Sequence, residues 1–175
     1  MSPWFADNSG VGKGIEFQLI NQLNRFEINQ SFSLTSMKLK NENINNGEPF
    51  PADWDRTYQY SGTISFQIID ELSLKITQFY ASGAPNKLAI FGADDKKRLD
   101  DYYRTDLSVD YRKALKKISL EFSISIYNLL NRENQWYREQ SFILDKSGTV
   151  DQFLTVPSDV YDLGIQPSFS FSLLF

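Results

Sequence analysis

Residues 118–127 read Ile-Ser-Leu-Glu-Phe-Ser-Ile-Ser-Ile-Tyr, and up to residue 126 every even position is apolar while every odd position is Ser or Glu. Successive side chains of a β-strand point to opposite faces of its sheet, so a period of two predicts a strand with one apolar and one polar face. The apolar positions carry full-sized Ile, Leu and Phe, whereas the polar positions carry little bulk. This segment therefore predicts a β protein built on a two-faced sheet.

The same period recurs along the chain and predicts seven strands of roughly 8 to 13 residues each, longer than the usual ~5–6 residues of a strand in a soluble protein. Strands of about 9–11 residues are long enough to cross a bilayer at a tilt. The predicted strands include residues 15–19, 26–35, 58–68, 72–77, 106–112, 118–126 and 168–175.

The predicted connections alternate in length. Short turns are expected near residues 22–25, 70–71 and 113–117, and long connections over 40–57, 83–104 and 131–167. Short turns at one end of a sheet and long loops at the other are typical of outer-membrane barrels. We therefore predict an all-β fold: an antiparallel, up-and-down transmembrane β-barrel segment of about seven strands, forming one structural unit over residues 1–175.

Composition excludes several other functions. The chain has no Cys and no His, which removes thiolate chemistry and the commonest general base, and its net charge of −4 does not suggest nucleic-acid binding. Asp106 and Asp110 share a strand face, where lining a hydrated lumen explains them better than catalysis does. Asp94, Asp95, Asp100 and Asp101 match no calcium-loop spacing. We therefore expect no enzyme activity, no cofactor and no metal site.

Several motifs, taken in order, resemble the end of the barrel in TonB-dependent outer-membrane receptors, especially the types found in Bacteroidetes. The resemblance covers the chain from about residue 14 to residue 175 and rests on residues 50–57, 80–85, 104–111, 126–132 and 167–175. It implies that these are the last seven strands of a 22-strand barrel. The family's plug domain and TonB box have no counterpart here, and the sequence after Met1 does not resemble a signal peptide. We therefore expect this chain to be the C-terminal part of such a receptor.

The resemblance implies a nutrient receptor in the bacterial outer membrane. Its expected partners are outer-membrane lipid, the barrel-assembly machinery, TonB through parts absent from this sequence, and a small nutrient that is a siderophore, a cobalamin, a glycan or a peptide. The alternative is a smaller structural outer-membrane barrel or a soluble lipid-binding β-barrel. The direction of the apolar face distinguishes the membrane and soluble alternatives. It points outward in a membrane barrel, which has a polar lumen, and inward in a soluble barrel.

Two sets of site residues follow. Outer-membrane barrels resemble one another in ending on an aromatic residue preceded by apolar residues at alternate positions, which implies that a barrel-assembly signal is formed here by Phe169, Phe171, Leu173 and Phe175. The alternative is that Phe175 only anchors the last strand in the membrane interface. Candidate ligand-facing aromatics in the long loops are Trp54, Trp136 and Tyr137.

Aromatic residues next to the long loops also fit an interfacial girdle at the outer leaflet. That girdle would comprise Tyr58, Tyr60, Tyr80, Tyr102, Tyr103, Tyr127, Trp136 and Tyr137. Two charged segments are expected to be exposed to solvent and to have no specific role. Asp55 and Arg56 are expected to form an exposed ion pair at the rim, and the charged run 94–101 is expected to be a solvated loop tip.

Overall fold

The computed structural model describes residues 8–90, 96–145 and 152–175. Its helices are short: a 3-10 helix at Asn45–Gly47 and α1 at Lys87–Ile90. Its strands are β1 (Ser9–Leu23), β2 (Phe26–Lys40), β3 (Phe50–Pro51), β4 (Tyr58–Ile69), β5 (Leu72–Ala81), β6 (Tyr102–Leu115), β7 (Ile118–Tyr127), β8 (Gln135–Asp145), β9 (Gln152–Tyr161) and β10 (Gln166–Leu174). The all-β prediction is confirmed.

Seven long strands form one antiparallel sheet in the order β1-β2-β4-β5-β6-β7-β10, which we call the main sheet. The short strand β3 adds to the edge of β2. Each strand of the main sheet pairs with the main-sheet strand that precedes or follows it along the chain, and between β7 and β10 the chain passes through β8 and β9, which lie outside the main sheet. The predicted up-and-down arrangement of seven strands is confirmed. Within the described residues, β1 and β10 each pair with one long strand only, and the sheet is open.

Backbone register fixes which side chains share a face. In β7 and β10, Phe122 lies opposite Phe171, and Ser123 lies opposite Ser170. The same parity runs through every pair of the main sheet, because directly paired residues point to the same side. We call the side that carries Phe122 the apolar face and the side that carries Ser123 the polar face. The apolar face includes Phe17, Phe32, Ile64, Phe66, Leu74, Ile76, Val109, Leu120, Phe122, Ile124, Phe169 and Phe171.

The apolar face is uncovered. Ile15 is 74% exposed and Phe171 is 61% exposed, although both belong to regular strands. Among the described residues, the buried apolar side chains are Ala52, Ala81 and Leu99, which belong to the loop end rather than to the middle of the sheet. The main sheet therefore has no second layer over its apolar face in the described part of the chain, and the apolar side chains of its middle are half-buried or exposed.

The polar face is concave. One cavity of about 400 Å³ is lined by polar-face side chains of five successive strands, including Ser73, Asp110, Ser123 and Ser170. Two further cavities, near Thr63 and near Ser108, also lie on this face. Because the sheet curves around its polar side, its apolar face lies on the convex side.

The two ends of the main sheet differ as predicted. Two-residue turns join β1 to β2 at Asn24-Arg25, β4 to β5 at Asp70-Glu71 and β6 to β7 at Lys116-Lys117. Asn24 adopts a positive φ of 54°, which Asn tolerates better than most residues. We call this the short-turn end, and the opposite end, where the long connections meet, the loop end.

The sequence predicts a long loop over 131–167 and no strand within it, and the structure differs here. This connection contains a separate antiparallel hairpin in which β8 pairs with β9. Pro157 lies within β9, where it pairs with Gln140. Both strands of a two-stranded sheet are edges, and an edge strand can accommodate a proline. The proline obscures the strand in the sequence, which is why the prediction was wrong here.

Candidate functional site

Three long connections pack together at the loop end, and polar side chains hold them. The largest fully buried side chains among the described residues are Asn86, Asn128 and Asn134. Each of them hydrogen-bonds backbone groups of the loops or of β6. A buried amide is tolerated when its donors and acceptors are paired, and such pairing specifies one arrangement of the loops.

Arg98 joins the first two long connections. Its guanidinium pairs with the Asp55 carboxylate and also donates to the backbone oxygens of Asp55 at 3.0 Å and Gly83 at 2.9 Å. Asp55 is only 4% exposed, and its other carboxylate oxygen accepts the Met37 amide at 2.6 Å. The expected exposed pair of Asp55 with Arg56 is therefore wrong: Arg56 instead donates to the Ser82 carbonyl at 2.7 Å.

Asp101 ends the second long connection, directly before β6, and hydrogen-bonds residues on the apolar-face side of the sheet. Its carboxylate accepts the hydroxyls of Tyr58 at 2.9 Å and Tyr80 at 2.8 Å, and the Gly83 amide at 3.0 Å. Burial disfavours the charged form, but the hydrogen bonds from Tyr80, Tyr58 and Gly83 outweigh it and hold the pKa of Asp101 below its ordinary value. Arg98 and Asp101 are thus structural, and the expectation of a merely solvated tip is wrong for both.

Asp162 forms a second carboxylate cluster, on the polar-face side. Its carboxylate accepts the hydroxyls of Tyr102 and Tyr127, each at 2.7 Å. Arg104 donates to the same two hydroxyls, lies over the Tyr127 ring at 4.3 Å, and forms an ion pair with Asp106 at 3.0 Å. Burial raises and the two tyrosine hydrogen bonds lower the pKa of Asp162, with a net shift below its ordinary value.

The tyrosines of the expected aromatic girdle lie on both faces of the main sheet. Tyr58, Tyr60, Tyr80 and Tyr103 lie on the apolar face, as a girdle requires. Tyr102 and Tyr127 point to the polar face instead, which corrects that expectation for both residues. Asp101 lies within the predicted long connection 83–104, five residues before the predicted strand 106–112, and no sequence pattern indicates that tyrosines bind it. Asp162 lies in the long connection 131–167, and no local pattern marks it.

The three candidate ligand-facing aromatics are placed differently. Trp136, 62% exposed, lines a cavity of about 390 Å³ together with Arg56, Phe79, Tyr102, Arg104 and Asp162. Trp136 also lines a second cavity, of about 340 Å³, whose lining includes Tyr137, Asp53 and Lys87. The Trp136 and Tyr137 rings lie edge to face at 6.4 Å. Trp54 is equally exposed but does not line either cavity.

The four residues of the candidate assembly signal lie along the outer edge of the main sheet. Phe169, Phe171 and Leu173 alternate on the apolar face of β10, opposite Ile124, Phe122 and Leu120. Phe175 follows the end of β10 and is 95% exposed. The strand thus presents one apolar row and one open backbone edge.

The described residues contain no group of three or more acidic side chains arranged to hold a metal ion. Asp94 and Asp95, which were considered with Asp100 and Asp101 as calcium ligands, lie outside the described residues. Across 8–90, 96–145 and 152–175, no helix has the length and apolar composition needed to span a membrane.

The architecture defines an antiparallel curved sheet with an apolar convex face, a polar concave face and structured loops at one end. No protein-family model matches the sequence, and no curated protein matches it. Among solved structures, the crystal structure of the siderophore receptor PiuA from Acinetobacter baumannii is similar, with a TM-score of 0.62 and 11% sequence identity. The match covers 94% of this chain, which spans 22% of the length of that receptor. At this identity the similarity shows the fold alone.

Proposed function

We propose that this chain forms part of the barrel wall and the outer loops of a TonB-dependent outer-membrane receptor that takes up a nutrient. One observation carries the proposal: large apolar side chains such as Ile15, Phe17 and Phe171 cover the convex face of a sheet with no second layer over them in the described residues. An exposed apolar face on the outside of a barrel is typical of contact with lipid. The similarity to part of a siderophore receptor supports this reading.

The composition of the polar face also supports the proposed orientation of the sheet. Glu121, Asp110, Arg112 and Lys75 line the concave surface together with serines. Both signs of charge occur on this face, which suits a hydrated lumen and would be costly against lipid. The open edges at β1 and β10 fit a segment that continues into further barrel strands.

Two alternatives follow from the sequence, and only one of them places the apolar face elsewhere. A soluble lipid-binding barrel would enclose that face, and its convex side would be polar. A smaller structural outer-membrane barrel shares the lipid-facing side but lacks transport. In plain buffer a soluble barrel would be a monodisperse monomer, whereas the open sheet proposed here would aggregate through its edges and apolar face.

The finer assignments come from the sequence resemblance and from the loop aromatics. The Bacteroidetes-like type rests on the sequence resemblance, which is carried by the order of residues 50–57, 80–85, 104–111, 126–132 and 167–175. Contacts with TonB and with the barrel-assembly machinery follow from the same resemblance. For the nutrient, we propose that Trp136 and Tyr137 contact it first, because their exposed rings give it a stacking surface. Both rings line one cavity, and Trp136 also lines another together with the polar-face residues Tyr102 and Arg104.

Single spin labels test the orientation of the sheet, and the absence of native cysteine makes each label specific. Ile64 and Ser65 are neighbours in β4 on opposite faces. With the chain in lipid, a label on Ile64→Cys should be relaxed by oxygen, which partitions into lipid. A label on Ser65→Cys should be relaxed by a water-soluble nickel chelate. Equal access of the chelate to both labels would contradict the proposal.

A further inference from the structure

Charge is distributed unequally between the two faces of the main sheet. On the polar face, the seven long strands carry both acidic and basic side chains: Glu16, Glu27, Lys75, Arg104, Asp106, Asp110, Arg112 and Glu121. On the apolar face, the same described strands carry only lysines among their charged residues, namely Lys13, Lys38, Lys40 and Lys113. The lipid-facing side is thus purely cationic within an acidic chain.

Three of these lysines form a cluster, which we call the lysine rim: Lys13 on β1, and Lys38 and Lys40 on β2. All three are exposed and lie at the loop end. Register places Lys38 opposite Val11 and Lys13 opposite Ser36, so Lys13 and Lys38 are diagonal neighbours on the same face. None of the three takes part in an ion pair among the described residues, whereas Lys113 lies 3.8 Å from Glu71.

The rim lies where an apolar band would end. Ten residues separate Leu23, at the short turn, from Lys13. At about 3.4 Å per residue and a tilt of about 45°, this corresponds to a height of roughly 24 Å. The apolar band of a membrane barrel is about 25 Å tall. Below Lys13 the same face carries Ile15, Phe17 and Leu19, so the lysines border the band directly.

We propose that the lysine rim binds the phosphate groups of anionic lipid headgroups at the membrane surface nearest the long loops. The inference rests on the proposed orientation of the sheet. Lysine suits this place because its aliphatic stem can lie along the apolar band while its ammonium donates hydrogen bonds to phosphate. The site would hold lipid around the barrel wall, separately from any nutrient taken up on the polar side.

Lipid titration tests the proposal. The full chain in nonionic detergent micelles is titrated with phosphatidylglycerol or with phosphatidylcholine, and bound lipid is measured by native mass spectrometry. The test variant is Lys13→Thr/Lys38→Thr/Lys40→Thr. The matched control, Lys75→Thr/Lys87→Thr/Lys97→Thr, removes the same charge from the polar face and the loops. A parallel titration in excess inorganic phosphate separates headgroup binding from binding of the free anion.

Wild type and control should prefer phosphatidylglycerol, and the rim variant should lose about fivefold in affinity for each lysine, about a hundredfold in all. The preference should persist in excess inorganic phosphate and weaken with added sodium chloride. Three results would overturn the inference: equal affinity for the two lipids, displacement of phosphatidylglycerol by excess inorganic phosphate, or unchanged lipid affinity of the rim variant. If the Ile64→Cys label in the same micelles shows lipid contact, such a result leaves the proposed function standing. If that label meets only water, both proposals fail.

Discussion

Arg98 pairs with the carboxylate of Asp55, a residue 43 positions earlier in the chain and almost fully buried. The pair joins the second long connection to the first. Arg98 also donates to the carbonyl oxygens of Asp55 and Gly83. One guanidinium therefore connects three loop segments: its own, that of Asp55 and that of Gly83. The loop end is therefore held by a few specific polar contacts, and substitutions there should have large and local effects.

Replacing Arg98 should destabilise the loop end. An Arg98→Met variant leaves the buried Asp55 carboxylate without its cation, and unpaired buried charges cost about 3–5 kcal/mol. Because Arg98 is about one-third exposed, we expect roughly 2 kcal/mol, measured by urea unfolding in micelles. Lys87→Met, which breaks the exposed pair with Asp53, should cost less than about 1 kcal/mol. Equal effects of the two substitutions would show that the Arg98 pair is not special.

Gly83 should not tolerate a side chain. A Cβ at this position would lie 1.8 Å from the carbonyl oxygen of Leu99, a backbone atom that cannot move aside alone. We expect Gly83→Ala to cost about 3 kcal/mol and to expose the second long connection to trypsin. Gly12→Ala is the control, because its Cβ would meet only the flexible end of Met37 at 3.2 Å. Trypsin resistance equal to wild type in the Gly83 variant would contradict the observed packing.

Acid should loosen the loop end through Asp162. Its pKa is lowered in the folded state, so its contribution to stability is complete above the unfolded value of about 4 and is lost as pH falls through the lower folded pKa. Tyr127→Phe removes one of its hydrogen bonds and should reduce this acid-dependent loss. Unfolding free energies measured between pH 7 and pH 3 test this. Tyr60→Phe is the control, because within the described residues the Tyr60 hydroxyl has no carboxylate partner, and this variant should follow wild type. A similar change in both variants would refute the assignment.

Phe175 should matter for assembly more than for stability. Its ring is 95% exposed, so Phe175→Ser should change the unfolding free energy of the refolded chain by less than about 0.5 kcal/mol. In cells, within the whole receptor, the same substitution should strongly reduce the assembled fraction, because β10 presents its apolar row and free edge for strand addition. Phe142→Ser, at an exposed phenylalanine of β8, is the control. Equal losses of assembly and stability would make Phe175 only an anchor.

Much of the main sheet could be predicted from the sequence. Alternation in residues 118–126 determines β7 and both of its faces, because the strand period is a property of the local backbone. The short turns, such as Asn24-Arg25, follow from breaks in that alternation. Pairing of sequence neighbours then follows from the short turns, and the register keeps each apolar side chain on one side.

The tertiary structure alone decided the loop end. Asp55 stands next to Arg56 in the sequence but pairs with Arg98, and Tyr102 lies on the face opposite to Tyr103 although both are aromatic residues at a strand end. The hairpin of β8 and β9 was hidden by Pro157, which only an edge strand accommodates. Periodicity is local and survives in the sequence. The partners of a buried carboxylate depend on which distant segments the folded chain brings within hydrogen-bonding distance, and no local pattern records them.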